Sequence, residues 1–137
     1  MTIPNLFVFD TNALISALLL PTSVPRQALD IAIQHGTLLL SDEIITELSV
    51  VFRRPKFNRY ISEQDRLQFL LLLIHDALIM PITETITDCR DAKDNKFLEL
   101  AVAGNATCIV TGDDDLLVLH PYRGIEIVVP RAFVARF

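Results

Sequence analysis

Three aspartates sit where a carboxylate is costly. Asp10 interrupts "NLFVFDTNALISALLL", an almost wholly apolar stretch without a Lys, Arg or His nearby in sequence. Asp113 follows the apolar "TCIVT" in "TGDDDL", and Asp94 opens the apolar helix-like "DNKFLELAVA". A carboxylate held beside a core needs a partner, because burying an unpaired charge is expensive. That partner must come from elsewhere in the chain or from a bound ion. Four or five carboxylates gathered at one place cannot all stay ionised without cations. All-oxygen ligation favours Mg²⁺ or Mn²⁺ over zinc. Two such ions about 4 Å apart activate a water and stabilise a phosphodiester leaving group. Other chemistries find less support. His35, His75 and His120 are scattered and read as surface or core residues. There is no Ser-His-Asp set, nucleophilic cysteine or P-loop, and "DDD" lacks the ligand spacing of an EF-hand.

The elements around these residues place them. Residues 3–9 read as a buried parallel strand, continuous and apolar. A helix is expected over 12–19, and a second from Pro25 to His35, with Gly36 as its stop. Thr37–Leu40 reads as a strand. Ser41 can cap a helix that ends near Arg54, before Pro55. Ser62 opens another through about His75. Ala77–Ile82 reads as a strand, about Lys93–Ala103 as a helix and Thr107–Thr111 as a strand. Asp115–Leu119 reads as a short helix and Ile125–Val129 as a last strand. Nothing is assigned beyond it. Strands alternating with helices mean a parallel sheet with helices on both faces. In such sheets sites form beyond the carboxyl ends of the strands. Asp10 and Asp113 both stand just past such an end.

On the helix from Lys93, a rotation of about 100° per residue puts Asp94 on the face of Phe97, Leu98, Leu100 and Ala101. Asn95, Lys96 and Glu99 are expected to point away from it. Asp91, one turn earlier, lies on the edge of that face and is a weaker candidate. Glu47 flanks the stripe of Ile44, Ile45, Leu48, Val51 and Phe52, where it can lean inward or stay solvated. Of the acidic triplet, Asp113 and Asp115 are the pair expected to share a side.

The totals narrow the classes. A chain of 137 residues suits one domain. Its residues are 51% hydrophobic, with mean hydropathy +0.41, yet no apolar run approaches the ~18 residues of a membrane span. No signal peptide is evident, and Cys89 and Cys108 read as reduced, buried thiols, so a cytoplasmic location is expected. The net charge of −5 argues against general attraction to nucleic acid. Against that, Arg53, Arg54, Lys56 and Arg59 cluster in "RRPKFNRY" with Phe57 and Tyr60. This loop can hold a phosphate backbone while an aromatic stacks on a base; equally, it can be a solvated basic loop with Phe57 in the core. In "LQFLLLLI", five consecutive apolar residues, Leu70–Ile74, cannot all face one core. A homodimer or larger symmetric assembly through that helix is expected, the alternative being loops that cover its second face.

Together these residues resemble a PIN domain. "FVFDTNALISALL" is similar to the family's opening strand with its D-T-N. "SDEIITEL" matches the segment carrying its helix glutamate, and "CRDAKDNKFLELAVAG" and "CIVTGDDDLL" match its third and fourth acidic segments. The likeness spans essentially the whole chain, 1–137. It is strongest to a prokaryotic branch assigned as toxins of toxin–antitoxin systems. The resemblance implies a three-layer α/β/α sandwich with a central, mostly parallel sheet. It implies metal ligands and catalytic residues at Asp10, Glu47, Asp94 and Asp113, with Asp115 as a fifth candidate ligand. Asn12 corresponds to the polar position that orients the first aspartate, and Thr11 and Thr111 stand beside it as supporting residues. The implied activity is a Mg²⁺- or Mn²⁺-dependent ribonuclease acting on RNA, with a cognate antitoxin protein as partner. Two other readings stay open. A Mg²⁺-dependent phosphohydrolase needs a nucleophilic aspartate, often in D-x-D-x-T, whereas the first strand here ends in D-T-N. A non-catalytic domain that binds RNA or protein would not need the complete acidic set.

Overall fold

The structure is a computed structural model and describes residues 4–137. Its centre is β1 (Leu6–Phe9), a strand because four bulky apolar residues in succession fit a sheet covered on both faces. The expected strand began at residue 3, which lies outside the described residues. Five strands run in the order β3-β2-β1-β4-β5, with β2 at Thr37–Leu40, β3 at Leu78–Ile79, β4 at Cys108–Val110 and β5 at Glu126–Val128. Every pairing is parallel. Helices flank this sheet, so the expected three-layer α/β/α arrangement is the observed one.

The register decides which side chains face which layer. Phe7 and Phe9 share one face of β1 and meet Phe133 edge-on, at 5.2 and 6.1 Å between ring centroids. Phe133 belongs to α7 (Pro130–Arg136), which packs on α2 (Val24–His35); α2 in turn packs on α1 (Thr11–Leu19). Phe7 is opposite Leu38, so Leu39 points to the other face. There it meets Gly104 of α5 (Asn95–Gly104). Phe7, Val8 and Phe9 are all fully buried, and each such side chain contributes about 1.5–3 kcal/mol by leaving water.

Local signals start most helices. Ser23, Ser41 and Ser62 each accept a hydrogen bond from the backbone N–H three residues on, and so cap α2, α3 (Asp42–Val51) and α4 (Glu63–Asp76). Several boundaries differ from expectation. α3 ends at Val51 rather than near Arg54, and a 3₁₀ turn at Pro55–Phe57 follows. β3 keeps only two residues of the expected Ala77–Ile82, because its one paired neighbour, β2, ends at Leu40. The short helix α6 spans Asp114–Leu117. α7 was not expected at all, although Pro130 at its first turn is a start signal. On α4 the apolar run divides as anticipated: Leu70 and Leu73 are buried, while Leu71 and Leu72 are 67% and 59% exposed.

Gly36 joins α2 to β2 at a crowded point. Its backbone is extended, so φ imposes no demand, but an added Cβ would lie 2.2 Å from the Asn5 carbonyl oxygen and 2.9 Å from Phe7. Gly36→Ala should therefore destabilise the fold by about 1–3 kcal/mol through overpacking. Gly112→Ala, where a Cβ meets nothing within 4 Å, should leave the denaturation midpoint almost unchanged. Urea unfolding of the two variants checks the contrast.

Candidate metal centre

Two parallel strands set the geometry. Phe9 of β1 is opposite Val110 of β4, so the residues that follow, Asp10 and Thr111, leave the sheet side by side. The Asp10 N–H donates to the Val110 carbonyl at 3.2 Å. Asp10 caps α1, its Oδ1 accepting from Ala13 N–H at 2.8 Å. Asp113 caps α6 in the same way, accepting from Asp115 N–H at 2.9 Å. Thr111 ties the two together. Its hydroxyl donates to Asp10 Oδ2 and accepts from Asp113 N–H at 2.9 Å. Both acids are thus fixed by hydrogen bonds to backbone and hydroxyl groups, with carboxylate edges left for the space between them.

That space is a cleft of about 280 Å³. Asp10, Glu47, Asp94 and Asp113 all line it, with Asp91, Thr11, Asn12 and Arg54. The four expected acids are therefore brought together from four separate segments. Glu47 leans inward: Oε1 accepts from the Thr11 hydroxyl and Oε2 lies 2.7 Å from Lys96 Nζ. Asp94 is 6% exposed, and its Oδ2 has no hydrogen-bond partner among the described residues. Asp115 does not open onto the cleft. It takes an ion pair from Arg90, with Nε to Oδ1 at 2.8 Å. Even so, one oxygen each of Asp91, Asp94 and Asp115 lies within 4.8 Å of the others. Asp91 is therefore nearer the acids than its edge position suggested.

One expectation is corrected. Asn95 and Lys96 do not point outward; both are buried. Asn95 Oδ1 accepts from Cys89 N–H at 2.8 Å, and Glu99 accepts from Ile86 N–H at 2.9 Å. The segment before α5 covers the side that would otherwise be wet. A 3₁₀ turn, Ala92–Asp94, leads into the helix. Lys96 is the residue missed as a site group. Its partner Glu47 lies on another helix, so no local spacing could reveal the pair. Of the basic cluster, Arg54 reaches this cleft, whereas Lys56 and Arg59 line a neighbouring hollow. Arg53 is exposed. The histidines stay outside: His75 is exposed, His35 stands 5.7 Å from the Phe137 ring, and His120 accepts from Ile127 N–H.

The electrostatics follow from this packing. Burial raises the Asp10 carboxyl above its ordinary value, against the hydrogen bonds from Thr111 and Ala13; Asp113 and Glu47 raise it further. Burial, then a hydrogen bond shared with Asp113, pushes Asp94 up to about 7. The same hydrogen bond holds Asp113 below its usual range. Burial also keeps Cys108 protonated, pushed up to about 11, and raises Cys89. Five carboxylates and three cationic side chains line the cleft. When all are ionised two negative charges are in excess, which one divalent cation would offset. The oxygen-only donors and the unpartnered Oδ2 of Asp94 suit a hard cation such as Mg²⁺ or Mn²⁺.

Comparison with known proteins identifies the family and the fold. The sequence profile described as "PIN domain" matches residues 7–115. An uncharacterized protein of Methanocaldococcus jannaschii, MJ1680, is 29% identical over 140 aligned residues, covering 95% of this chain and 90% of that one. Among solved structures, the fold is similar to PAE2754 from Pyrobaculum aerophilum (TM-score 0.62, 15% identity, 97% of this chain and 91% of that one). It is also similar to VapBC2 from Rickettsia felis, solved with a DNA fragment from its promoter (TM-score 0.61, 14% identity, 89% and 96%).

The raised acids carry a sign for stability. A carboxyl whose folded value lies above its unfolded value binds more protons when folded. Stability then falls as pH rises from the unfolded value near 3.8 through the folded value near 7. The metal-free protein should accordingly be more stable at pH 5 than at pH 8, and Asp94→Asn should flatten that slope. Thermal unfolding in EDTA at the two pH values measures it; a wild type more stable at pH 8 than at pH 5 would contradict the assignment.

Proposed function

The chain belongs to the PIN-domain family, and on that premise we propose that it is a divalent-metal-dependent endoribonuclease, the toxin of a toxin–antitoxin pair. The observation that carries this reading is the convergence of Asp10, Glu47, Asp94 and Asp113 on one cleft, with a buried Asp94 oxygen that no group among the described residues satisfies. These four residues would hold Mg²⁺ or Mn²⁺, with Asp91 and Asp115 near Asp94. When bound, the metal supplies an activated water and charge stabilisation for a phosphodiester. The chain's own groups do the rest. Thr111 and Ala13 orient the Asp10 carboxylate. Thr11 and Lys96 hold Glu47. Arg54 and Lys93, at the cleft wall, offer positive charge to the phosphate of a single-stranded RNA. Asn12, exposed on the same wall, is placed to orient the attacking water or the scissile phosphate. VapBC2, similar in fold, was solved bound to a DNA fragment from its promoter; a cognate antitoxin is proposed here from the resemblance of the sequence to the toxin branch of the family.

A second element of the proposal is self-association. The exposed Leu71 and Leu72 adjoin an apolar groove between α2 and α4, lined by Leu29, Ile33 and Phe69. A twofold pair of chains would cover both. Light scattering at micromolar concentration should give a dimer, and Leu72→Glu should give folded monomers. A monodisperse wild-type monomer would overturn it.

Activity is tested on a panel of RNAs. Cleavage should require Mn²⁺ or Mg²⁺, stop in EDTA, and be lost in Asp10→Asn. Thr111→Val keeps the ligand and removes only its support, so it should lower metal affinity or activity about 10–100-fold. Absence of metal-dependent cleavage on every RNA would count against the nuclease reading. So would cleavage equal in Asp10→Asn and wild type.

A further inference from the structure

A second hollow, about 450 Å³, lies beside the acid cleft, between the end of α1 and the loop joining α3 to α4. Its floor is apolar, from Leu19, Leu20 and Phe57, and Lys56, Arg59 and Tyr60 stand on its rim. Tyr60 is 60% exposed, with its ring carrying the Arg59 guanidinium at 5.2 Å. Phe57 is buried; the free aromatic of the loop is therefore Tyr60. From Leu48 to Ser62 the chain has no acidic residue but carries Arg53, Arg54, Lys56 and Arg59. In a protein of net charge −5 this is a local reversal of sign.

The loop is built, not loose. Arg66 of α4 is fully buried and no carboxylate pairs with it among the described residues. Its guanidinium donates instead to the Phe52 carbonyl at 2.6 Å, the Ile61 carbonyl at 2.5 Å and Asn58 Oδ1 at 3.0 Å. A buried cation met only by carbonyl and amide oxygens is costly unless its hydrogen bonds are well made, and here they all close on residues 52–61. The loop's shape is thus set before anything binds. The same loop reaches the acid cleft through Arg54 and the hollow through Lys56 and Arg59. α1 spans the same gap: Asn12 lines the cleft and Leu19 the hollow, roughly 10 Å apart at 1.5 Å per residue. That is the reach of a few nucleotides.

We propose that this hollow is a nucleobase subsite for single-stranded RNA, in which a base a few nucleotides from the cleaved bond stacks on Tyr60 while Lys56 and Arg59 hold the flanking phosphates. The inference rests on the nuclease reading and adds to it where the strand is gripped. Base–aromatic stacking is insensitive to sequence, so the subsite selects unpaired strands rather than a particular base. The apolar floor accepts the face of a base, and the two cations match phosphate; a basic peptide would meet repulsion at the rim.

The test separates binding from cleavage. In Asp10→Asn protein with EDTA, fluorescence anisotropy follows a labelled single-stranded 12-nucleotide RNA and the same strand made abasic. Tyr60→Ala should weaken binding of the normal strand about 5–150-fold, the range that stacking of 1–3 kcal/mol gives. It should barely affect the abasic strand, and Tyr60→Phe should restore affinity. Lys56→Ala and Arg59→Ala should each lower the slope of log affinity against log salt by about 0.7. Tyr60 is on the surface, so these variants should unfold with wild-type midpoints. Wild-type protein with Mn²⁺ is assayed for cleavage in parallel. If it cleaves RNA while Tyr60→Ala binds within twofold of its parent, the subsite is wrong and the nuclease reading stands. If the intact protein neither binds nor cleaves single-stranded RNA, both fall. If Tyr60→Ala changes the mass in light scattering and not the RNA affinity, the hollow is a self-association face and the proposal is overturned.

Discussion

The hydroxyl of Thr111 is the point on which the acid cleft depends. β1 and β4 are adjacent and parallel, so their carboxyl ends lie at one level and each must change direction there. Each does so with an aspartate that caps the next helix. Each cap uses the Oδ1 of its carboxylate. Thr111 then bonds both corners, taking Asp113 N–H and giving its proton to Asp10. The turn chemistry that ends two strands is therefore the same chemistry that aims two carboxylates. This is why the site needs so few residues of its own: the fold's corners supply them. A valine of nearly the same shape at Thr111 would keep the strand and lose the alignment.

What the fold gains in geometry it must offset in charge. Two like charges about 4 Å apart repel by about 4 kcal/mol at an effective dielectric near 20, and the cleft holds five carboxylates. The protein relieves part of this internally. Lys96, 7% exposed, sits against Glu47, and burial together with the neighbouring Asp113 raises the Asp94 carboxyl, which favours one proton between the two acids. Arg90 holds Asp115 aside. The relief is incomplete, and the unpartnered Asp94 oxygen marks where it stops. A purely structural acid cluster would be expected to close its hydrogen bonds; this one leaves an acceptor facing inward.

How much of this was legible in the sequence depended on range. Strand–helix alternation pointed to a parallel sheet with Asp10 and Asp113 at strand ends; that the two strands are neighbours came from the sheet order. Asp94 was readable from its spacing to Phe97 and Leu98. The same projection failed for its neighbours Asn95 and Lys96, since residues 86–89 cover the flank that periodicity assigns to water. Glu47 stayed ambiguous because what turns it inward, Thr11 and Lys96, lies 36 and 49 positions away (47 − 11; 96 − 47). α7 was missed although Pro130 announces it; its role, covering Phe7 and Phe9, is visible only when the sheet is assembled. Local chemistry could be read along the chain, whereas pairings across it could not.

The opposition of charge between two neighbouring regions gives the molecule a direction. The cleft is acidic and the loop from Arg53 to Tyr60 is basic, yet Arg54 belongs to both. A polyanion approaching the cleft alone would be repelled; along the loop it would be attracted first and delivered second. The net charge of −5 is thus a poor guide to partners, because it averages two surfaces of opposite sign. Arg66 makes the separation durable. By spending a buried guanidinium on backbone carbonyls rather than on an acid, α4 holds the basic loop at a fixed distance from the carboxylates. Lys56 and Arg59 then stand at the neighbouring hollow, and Arg54 is the residue of the loop that reaches the cleft. A loop free to move would be drawn into that cleft by the charges it carries, and the acids would lose the unmet demand that makes them a candidate cation site.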